Sequence, residues 1–434
     1  MNLSDCCEFD ALYVISDLHM GGEKRIENGI DKSFQIFDQG DLLGGWLNQL
    51  SQEPEKKIGL VLNGDTVDFL AEPSATYFDL EGATGKLERI FRDPSFVPVW
   101  SALKAFVKAP NRRLAITLGN HDLELALPWV RELLLDELSE QDGAVRSRIV
   151  LSLEGVGFRC VVGGASVLCA HGNEVDSWNL TDYEKLRRTA RDYTWGHSFE
   201  GWVPNAGTKL VIEVMNGIKE KYPFIDLLKP ETEAAIPVLF ALDRSLAKKL
   251  DDICGVALKL GATDVRHWFG FLEAGAQAPQ PETLPPGQAL AAVLGRSLRT
   301  STADPVDRLL QEAEERKRSK EGGSSVSAPT DEFLSTPGAI WAAVRGKSKS
   351  EILREALERL KDDRTFDLTQ RDSWVHDLDE RVGAEVDFLL AGHTHLDRAL
   401  RRDSRRGSYF NSGTWVRTIQ LTADMLDDAG RVGS

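Results

Sequence analysis

Five short stretches of this chain end an apolar run in residue types that bind cations: Asp17-Leu18-His19, Gly64-Asp65, Gly119-Asn120-His121-Asp122, His171-Gly172-Asn173 and Gly392-His393-Thr394-His395. Asp17 and His19 stand at i and i+2, as do His393 and His395. In an extended segment both side chains of each pair leave on the same side, so their donor atoms converge on one ion. Asn120 offers a neutral carbonyl oxygen. His121 beside it reads as a group facing substrate, with Asp122 fixing its tautomer. Taken singly, each stretch is an ordinary turn or helix cap. Together they hold five of the eight histidines of the chain, which histidines scattered over a surface would not do. Nitrogen and oxygen donors without thiolate suit manganese, iron or zinc better than calcium or magnesium. With His121 set aside, Asp17, His19, Asp65, Asn120, His171, His393 and His395 are too many for one first-row ion. Two divalent cations are expected, manganese first and iron or zinc as alternatives, with Asp65 as the carboxylate bridge.

Such residues need rigid strand ends. Residues 60–62 read as a strand covered on both faces, and Gly64 turns the chain at its end. Residues 12–16 are a second strand, and the amphipathic stretch 31–50 is the crossover helix between them, a parallel βαβ unit. The pattern continues with a connection or site-covering loop at 69–96, a helix at 97–107, a strand at 114–118 and a helix at 123–138. Residues 149–153, 157–162 and 166–170 then read as short antiparallel hairpins. Residues 386–390 resume the buried-strand style, and 408–411 and 416–421 read as two strands packing on a second sheet. Between 176 and about 374 lies a block with helical spacing at 183–193, 231–260, 305–320 and 350–361, and with linkers at 275–288 and 320–331. Its aromatic cluster, Tyr193, Trp195, His197, Phe199 and Trp202, suits core or lid packing better than pocket lining. His267 and His376 have no partner motif and read as structural or solvent-facing.

Composition bounds the reading. At 434 residues the chain suits two to three average domains or one large domain with a substantial insert. A formal charge of −16 opposes attachment to nucleic acid or anionic membrane. Five cysteines without CxxC spacing argue against a disulfide framework or structural zinc, and point to a reducing, cytoplasmic compartment. No basic-then-apolar leader and no transmembrane run of about 18 apolar residues is visible.

In their order, DLH, GDTVD, GNHD, HGN and GHTH resemble the five-block signature of calcineurin-like metallophosphoesterases, over residues 11–175 and 385–421. The resemblance implies an α/β fold, a four-layer αββα sandwich of two mixed sheets, with the core at 1–175 and 376–434 and a large, mostly helical insertion at 176–375. It implies a dinuclear site: Asp17, His19, Asp65 and His395 on one metal, and Asp65, Asn120, His171 and His393 on the other. His121 is then the non-ligand histidine that contacts phosphate and protonates the leaving oxygen, and a metal-bridging hydroxide attacks directly. The segments ISDLHMGG and HGNEVDSWNLTDYEKLRR are similar to the UDP-2,3-diacylglucosamine pyrophosphohydrolase branch, which matches Asn173, Asp182, Tyr183 and Arg187 to substrate contacts. Three departures separate this chain from that branch: His121 where Arg is usual, Asn173 where Asp is usual, and a longer insert. The expectation is therefore a phosphodiesterase or pyrophosphatase acting on a phosphorylated nucleotide-type or lipid-linked substrate. A manganese-dependent DNA nuclease, disfavoured by the acidic charge, and a non-catalytic scaffold that binds a partner through its insert are the rivals. The insert itself is open as a lid, a peripheral membrane-docking face or a partner surface, and the sequence sets no oligomeric state.

Overall fold

The computed structural model describes residues 7–197, 202–220, 225–229, 364–403 and 406–420, apart from 28, 29, 32, 33, 55 and 226. The helical stretches expected at 231–260, 305–320 and 350–361, both linkers, Phe199, His267 and the end of the last expected strand lie outside those residues.

Ten strands build two sheets: β1 (Cys7–Phe9), β2 (Ala11–Ile15), β3 (Ile58–Asn63), β4 (Arg112–Thr117), β5 (Ile149–Ser152), β6 (Phe158–Val162), β7 (Ala165–Cys169), β8 (Phe388–Ala391), β9 (Asp397–Arg401) and β10 (Ser408–Ser412). The first sheet runs β2-β3-β4-β5 with every pairing parallel. Parallel neighbours need crossovers, and helices supply them. Helix α1 (Gly40–Gln52) leads to β3, α2 (Ala83–Arg92) and α3 (Val97–Lys108) lead to β4, and α4 (Pro128–Ser139) lies on the way to β5. The second sheet runs β1-β6-β7-β8-β10-β9 and is mixed, antiparallel at β6/β7 and β9/β10 and parallel elsewhere.

The period-2 alternation of β3 assigns the layers. Ile58, Leu60 and Leu62 join the helices in one core with Leu43, Leu47, Phe106 and Leu134. Val61, on the opposite face, meets Ala115, Phe158, Cys160, Val167 and Cys169 between the sheets. Beyond the second sheet, Leu389, Ala391 and Tyr409 pack under Val375 and Leu378 of a helix at Ser373–Arg381. The result is helix, sheet, sheet, helix, as expected. Leu186 and Ala190, of the helix Tyr183–Thr194, join the first core, so packing continues past position 176.

Several elements differ from expectation. The connection 69–96 carries α2. The helix expected at 123–138 is interrupted, because Pro128 cannot continue a preceding turn but suits a first helical position; a 3₁₀ turn, Leu123–Ala126, precedes it. Residues 149–152 pair parallel with β4 and form no hairpin with β6. Gly155 and Gly157, at φ 73° and 68°, let the chain leave the first sheet there for the second. Strand β9 was not anticipated because Arg398, Arg401 and Asp397 hide its alternation; Arg398 is buried, 3.4 Å from Asp372. Ile419–Gln420 pairs with Leu228–Lys229 and not with the second sheet. Among the described residues, no helix is long and apolar enough to cross a membrane.

Candidate metal centre

Because β2, β3 and β4 are parallel, their carboxyl ends lie on one edge, and the segments after them carry Asp17 and His19, Asp65, and Asn120. In the second sheet, β7 and β8 are likewise parallel and deliver His171, His393 and His395. Such an edge is where open α/β sheets bind ligands.

The backbone there is strained in a specific way. Asp17, His19, Asp65, His393 and His395 all adopt positive φ, at 54°, 49°, 50°, 70° and 60°. Such sparsely populated conformations cost a non-glycine residue about 1–3 kcal/mol each and persist only where the surroundings over-determine them. The surroundings do so here. Asp17 N donates to Gly64 O at 3.2 Å and His19 N to Asp65 O at 2.9 Å, while Thr414 Oγ1 donates to Asp17 O at 2.7 Å. The backbone N–H of His393 donates to both Asp17 carboxylate oxygens, at 3.1 and 3.0 Å. The glycines of three motifs clear the space: a Cβ on Gly64 would fall on the His171 ring, one on Gly119 on the Asp65 carboxylate, and one on Gly392 on Ser16 and Asp17.

Four of the imidazoles, those of His19, His121, His171 and His393, are aimed by a partner on one ring nitrogen. His171 Nδ1 lies 2.8 Å from Asn63 O, which turns Nε2 to Asp65 Oδ2 at 3.2 Å. His19 Nδ1 and His121 Nδ1 each lie 3.2 Å from Asp68, on its two different oxygens. His19 Nε2 then stands 2.9 Å from His395 Nε2 and 3.7 Å from Asp65 Oδ2. His395 Nε2 is 3.4 Å from Asp17 Oδ1. His393 places Nε2 on Asp176 Oδ2 at 2.8 Å, which leaves Nδ1 for the centre.

The donor atoms of Asp17, His19 and His395 lie within 4.8 Å of one another, as do those of Asp65, His171 and His393. His121 joins His19 and Asp65 in a third such group. Asn120 Oδ1 is a buried polar atom with no hydrogen-bond partner among the described residues, and His171 Nε2 faces the Asp65 carboxylate at 3.2 Å. An orphaned carbonyl oxygen beside a buried imidazole and carboxylate fits divalent cations, whose binding would satisfy it.

The side chains polarise one another strongly. Burial alone would raise the Asp17 carboxyl, but the charge of His171 and the hydrogen bond to His395 hold it down at about 2. Asp65 is likewise held well below the ordinary carboxylate range by His171 and His121, against burial. Burial would push His171 down, yet Asp65 and Asp17 bring it up to about 10, and Asp68 and Asp65 bring His121 up to about 9. His395 goes the other way, to about 4, through burial and the charge of Lys229.

Asp122 does not orient His121. Its oxygens accept the backbone N–H groups of Thr66 and Gly119, at 2.8 and 2.7 Å, and tie the Asp65 loop to the Asn120 loop. A short side chain just after a turn reaches nearby backbone more readily than the next residue's ring. The orienting group is Asp68, the last residue of the GDTVD block, to which the sequence reading gave no role. Asp176, within HGNEVD, was missed as a partner of His393.

Two of the four expected substrate contacts are used elsewhere. Asp182 caps the helix Tyr183–Thr194 through Lys185 N at 2.9 Å, and Arg187, with 63% of its side chain exposed, pairs with Glu184 at 2.8 Å. Helical period decides this: Arg187 shares an exposed face with Glu184, whereas Leu186 faces the core. Asn173 is buried, donating to Asn179 O and Thr181 Oγ1, and Tyr183 stands against Gly155. Of the aromatic cluster, Tyr193 packs on Trp129 and Trp202 on Phe78, while Trp195 is exposed. His376 is exposed on its helix, near Glu380.

The sandwich and its converging imidazoles, carboxylates and amide define a phosphoesterase class that works with divalent metal. The model of the calcineurin-like phosphoesterase family matches residues 11–224, and that part of the chain belongs to this family. Comparison with individual curated proteins returned no match. Family and His/Asp clusters together support a metal-dependent phosphoester hydrolase.

Proposed function

We propose that the chain hydrolyses a phosphodiester or pyrophosphate bond with two divalent cations, manganese first. Asp17, His19, Asp65 and His395 hold one, Asp65, Asn120, His171 and His393 the other. The observation that carries this reading is the chain of donor groups, Asp17-His19-His395, His19-Asp65-His121 and Asp65-His171-His393, linked through His19 and Asp65, with Asn120 Oδ1 lacking a hydrogen-bond partner beside them. When bound, two such cations activate a water at neutral pH and neutralise phosphoryl charge. The residues do the rest. Asp65 lies between the two groups, with Oδ2 3.7 Å from His19 Nε2 and 3.2 Å from His171 Nε2, and its Oδ1 accepts His121 N at 2.8 Å. His121, with Nδ1 on Asp68, keeps Nε2 for the phosphate and holds the proton that the leaving oxygen needs. The substrate is a phosphorylated nucleotide-type or lipid-linked molecule. The domain reading is a core at 1–175 and 376–434 around an insertion at 176–375. Five cysteines without CxxC spacing support a reducing, cytoplasmic compartment.

The test strips metal with a chelator, restores manganese, and follows bis-p-nitrophenyl phosphate turnover alongside elemental analysis. Activity should vanish and return with about two ions per chain. Unchanged turnover after stripping, or full turnover in Asp65→Ala, refutes the proposal.

A further inference from the structure

The stretch that follows His171 carries two further polar side chains that bear on the centre, Asp176 and Asn179. Asp176 is buried; its Oδ1 accepts Trp178 N at 2.8 Å, and its Oδ2 accepts Asn179 Nδ2 at 2.6 Å and meets His393 Nε2 at 2.8 Å. Asn179, half-buried, turns its other arm to Asn120, whose Nδ2 donates to Asn179 Oδ1 over a long 3.5 Å. One carboxylate and one amide thus join His393 to Asn120, two side chains that come from different sheets.

The polarity of this chain of bonds is dictated from one end. A carboxylate only accepts, so the Asn179 arm that meets Asp176 must be its amide N–H₂, and the arm left over must be its carbonyl oxygen. Facing a carbonyl oxygen, Asn120 has to offer its own N–H₂. That turns Asn120 Oδ1 the other way, and this is the buried atom that lacks a hydrogen-bond partner among the described residues. The same carboxylate requires a donor from His393, so Nε2 carries the ring proton and Nδ1 keeps its lone pair. Both side chains are therefore left with an electron pair, and not an N–H, for a cation. The backbone leaves room for the arrangement at Gly207, whose N donates to Trp178 O at 2.9 Å and where a Cβ would overlap Asn179 Oδ1.

We propose that Asn179 is a positioning residue for the cation assigned to Asp65, Asn120, His171 and His393: together with Asp176 it decides which arm of Asn120 and which nitrogen of His393 faces that ion. The inference rests on the two-cation reading. It also gives the opening of the expected insertion a role in the metal centre, through Asn179 and the Gly207 that seats it.

The experiment dialyses the full chain to equilibrium against manganese, for the wild type, Asn179→Ala and Gly207→Ala, with elemental analysis and electron paramagnetic resonance of the bound ions. Each variant should bind one of the two ions about 10–100-fold more weakly, the usual cost of losing a partner that orients a ligand. The other ion, whose ligands touch neither Asn179 nor Asp176, should bind as in the wild type, so the spectrum changes from that of a coupled pair to that of an isolated ion. A loosened loop would weaken both ions alike, and Asn179→Ala keeps the backbone ties of the loop, Asn173 Nδ2 to Asn179 O at 3.2 Å and Gly207 N to Trp178 O at 2.9 Å. Asn179→Ser replaces Asn179→Ala if circular dichroism shows the latter unfolded. Both ions held as in the wild type, or both weakened alike, overturns the inference, as does a wild type that binds no second ion. Bis-p-nitrophenyl phosphate turnover by the wild type separates the two readings. Selective loss of one ion without any metal-dependent turnover sinks the phosphoesterase reading and leaves the positioning role standing. Turnover with both ions retained in the variants does the reverse.

Discussion

Asp68→Asn is the sharpest probe of how this centre is held. Asp68 is buried; one oxygen accepts the backbone N–H groups of Leu70 and Ala71 at 2.9 and 3.0 Å and lies 3.2 Å from His121 Nδ1, while the other lies 3.2 Å from His19 Nδ1. In the Asn variant the remaining carbonyl oxygen keeps the two backbone bonds. The new amide N–H₂ then faces His19 Nδ1 and demands an acceptor there, which moves the ring proton to Nε2. That nitrogen is the one that faces Asp65 and His395. The variant therefore presents an N–H where a lone pair is needed. Loss of such an orienting partner costs about 10–100-fold in metal affinity. Stability should change little, since the backbone acceptor survives. Asp68→Ala, by contrast, also strands two buried N–H donors, at about 1–3 kcal/mol each. The assay is equilibrium dialysis against manganese near neutral pH with elemental analysis, beside urea unfolding of the metal-free chain. Wild-type affinity in Asp68→Asn refutes the tautomer argument. An equal loss of stability in the Asn and Ala variants refutes the assignment of the backbone bonds.

Other outcomes follow from the same geometry. Gly119→Ala places a methyl group on the Asp65 carboxylate, so turnover and metal content should both collapse; normal metal content contradicts the packing. Asp182→Ala should lower stability by about 1 kcal/mol through loss of a helix cap while Arg187→Ala shifts it by under about 0.5 kcal/mol, and neither should alter KM. A raised KM in either returns that residue to the substrate site. Burial pushes the Glu124 carboxyl up to about 8, with the backbone N–H of Asp79 its one opposing hydrogen bond across the loop. The folded chain therefore keeps a proton that the unfolded chain releases near pH 4.5, and this contribution to stability falls by about 1.4 kcal/mol per pH unit between the two values, then levels above pH 8. Glu124→Gln should flatten unfolding free energy against pH across that window; an unchanged slope rules the assignment out.

Much of the chemistry is local, and so was legible along the chain. Glycine beside Asp or Asn at a strand end, and Asp-x-His or His-x-His just beyond one, name the donor atoms and the backbone turn together, because a ligand at positive φ must be preceded or followed by residues that let the chain turn. The strands announce their burial too: the unbroken apolar run of β3 reads as covered on both faces, and it is. What a linear reading misses is which carboxylate a given imidazole meets. Asp122 adjoins His121 in sequence, yet its short side chain closes on backbone, and Asp68, from the neighbouring strand's loop, reaches across to two histidines at once. Arg187 and Asp182 likewise carry a plausible motif, and the helical period turns one to solvent and uses the other as a cap. The energy of a charge depends on its distance from other charges and from water, and neither is written in the order of residues.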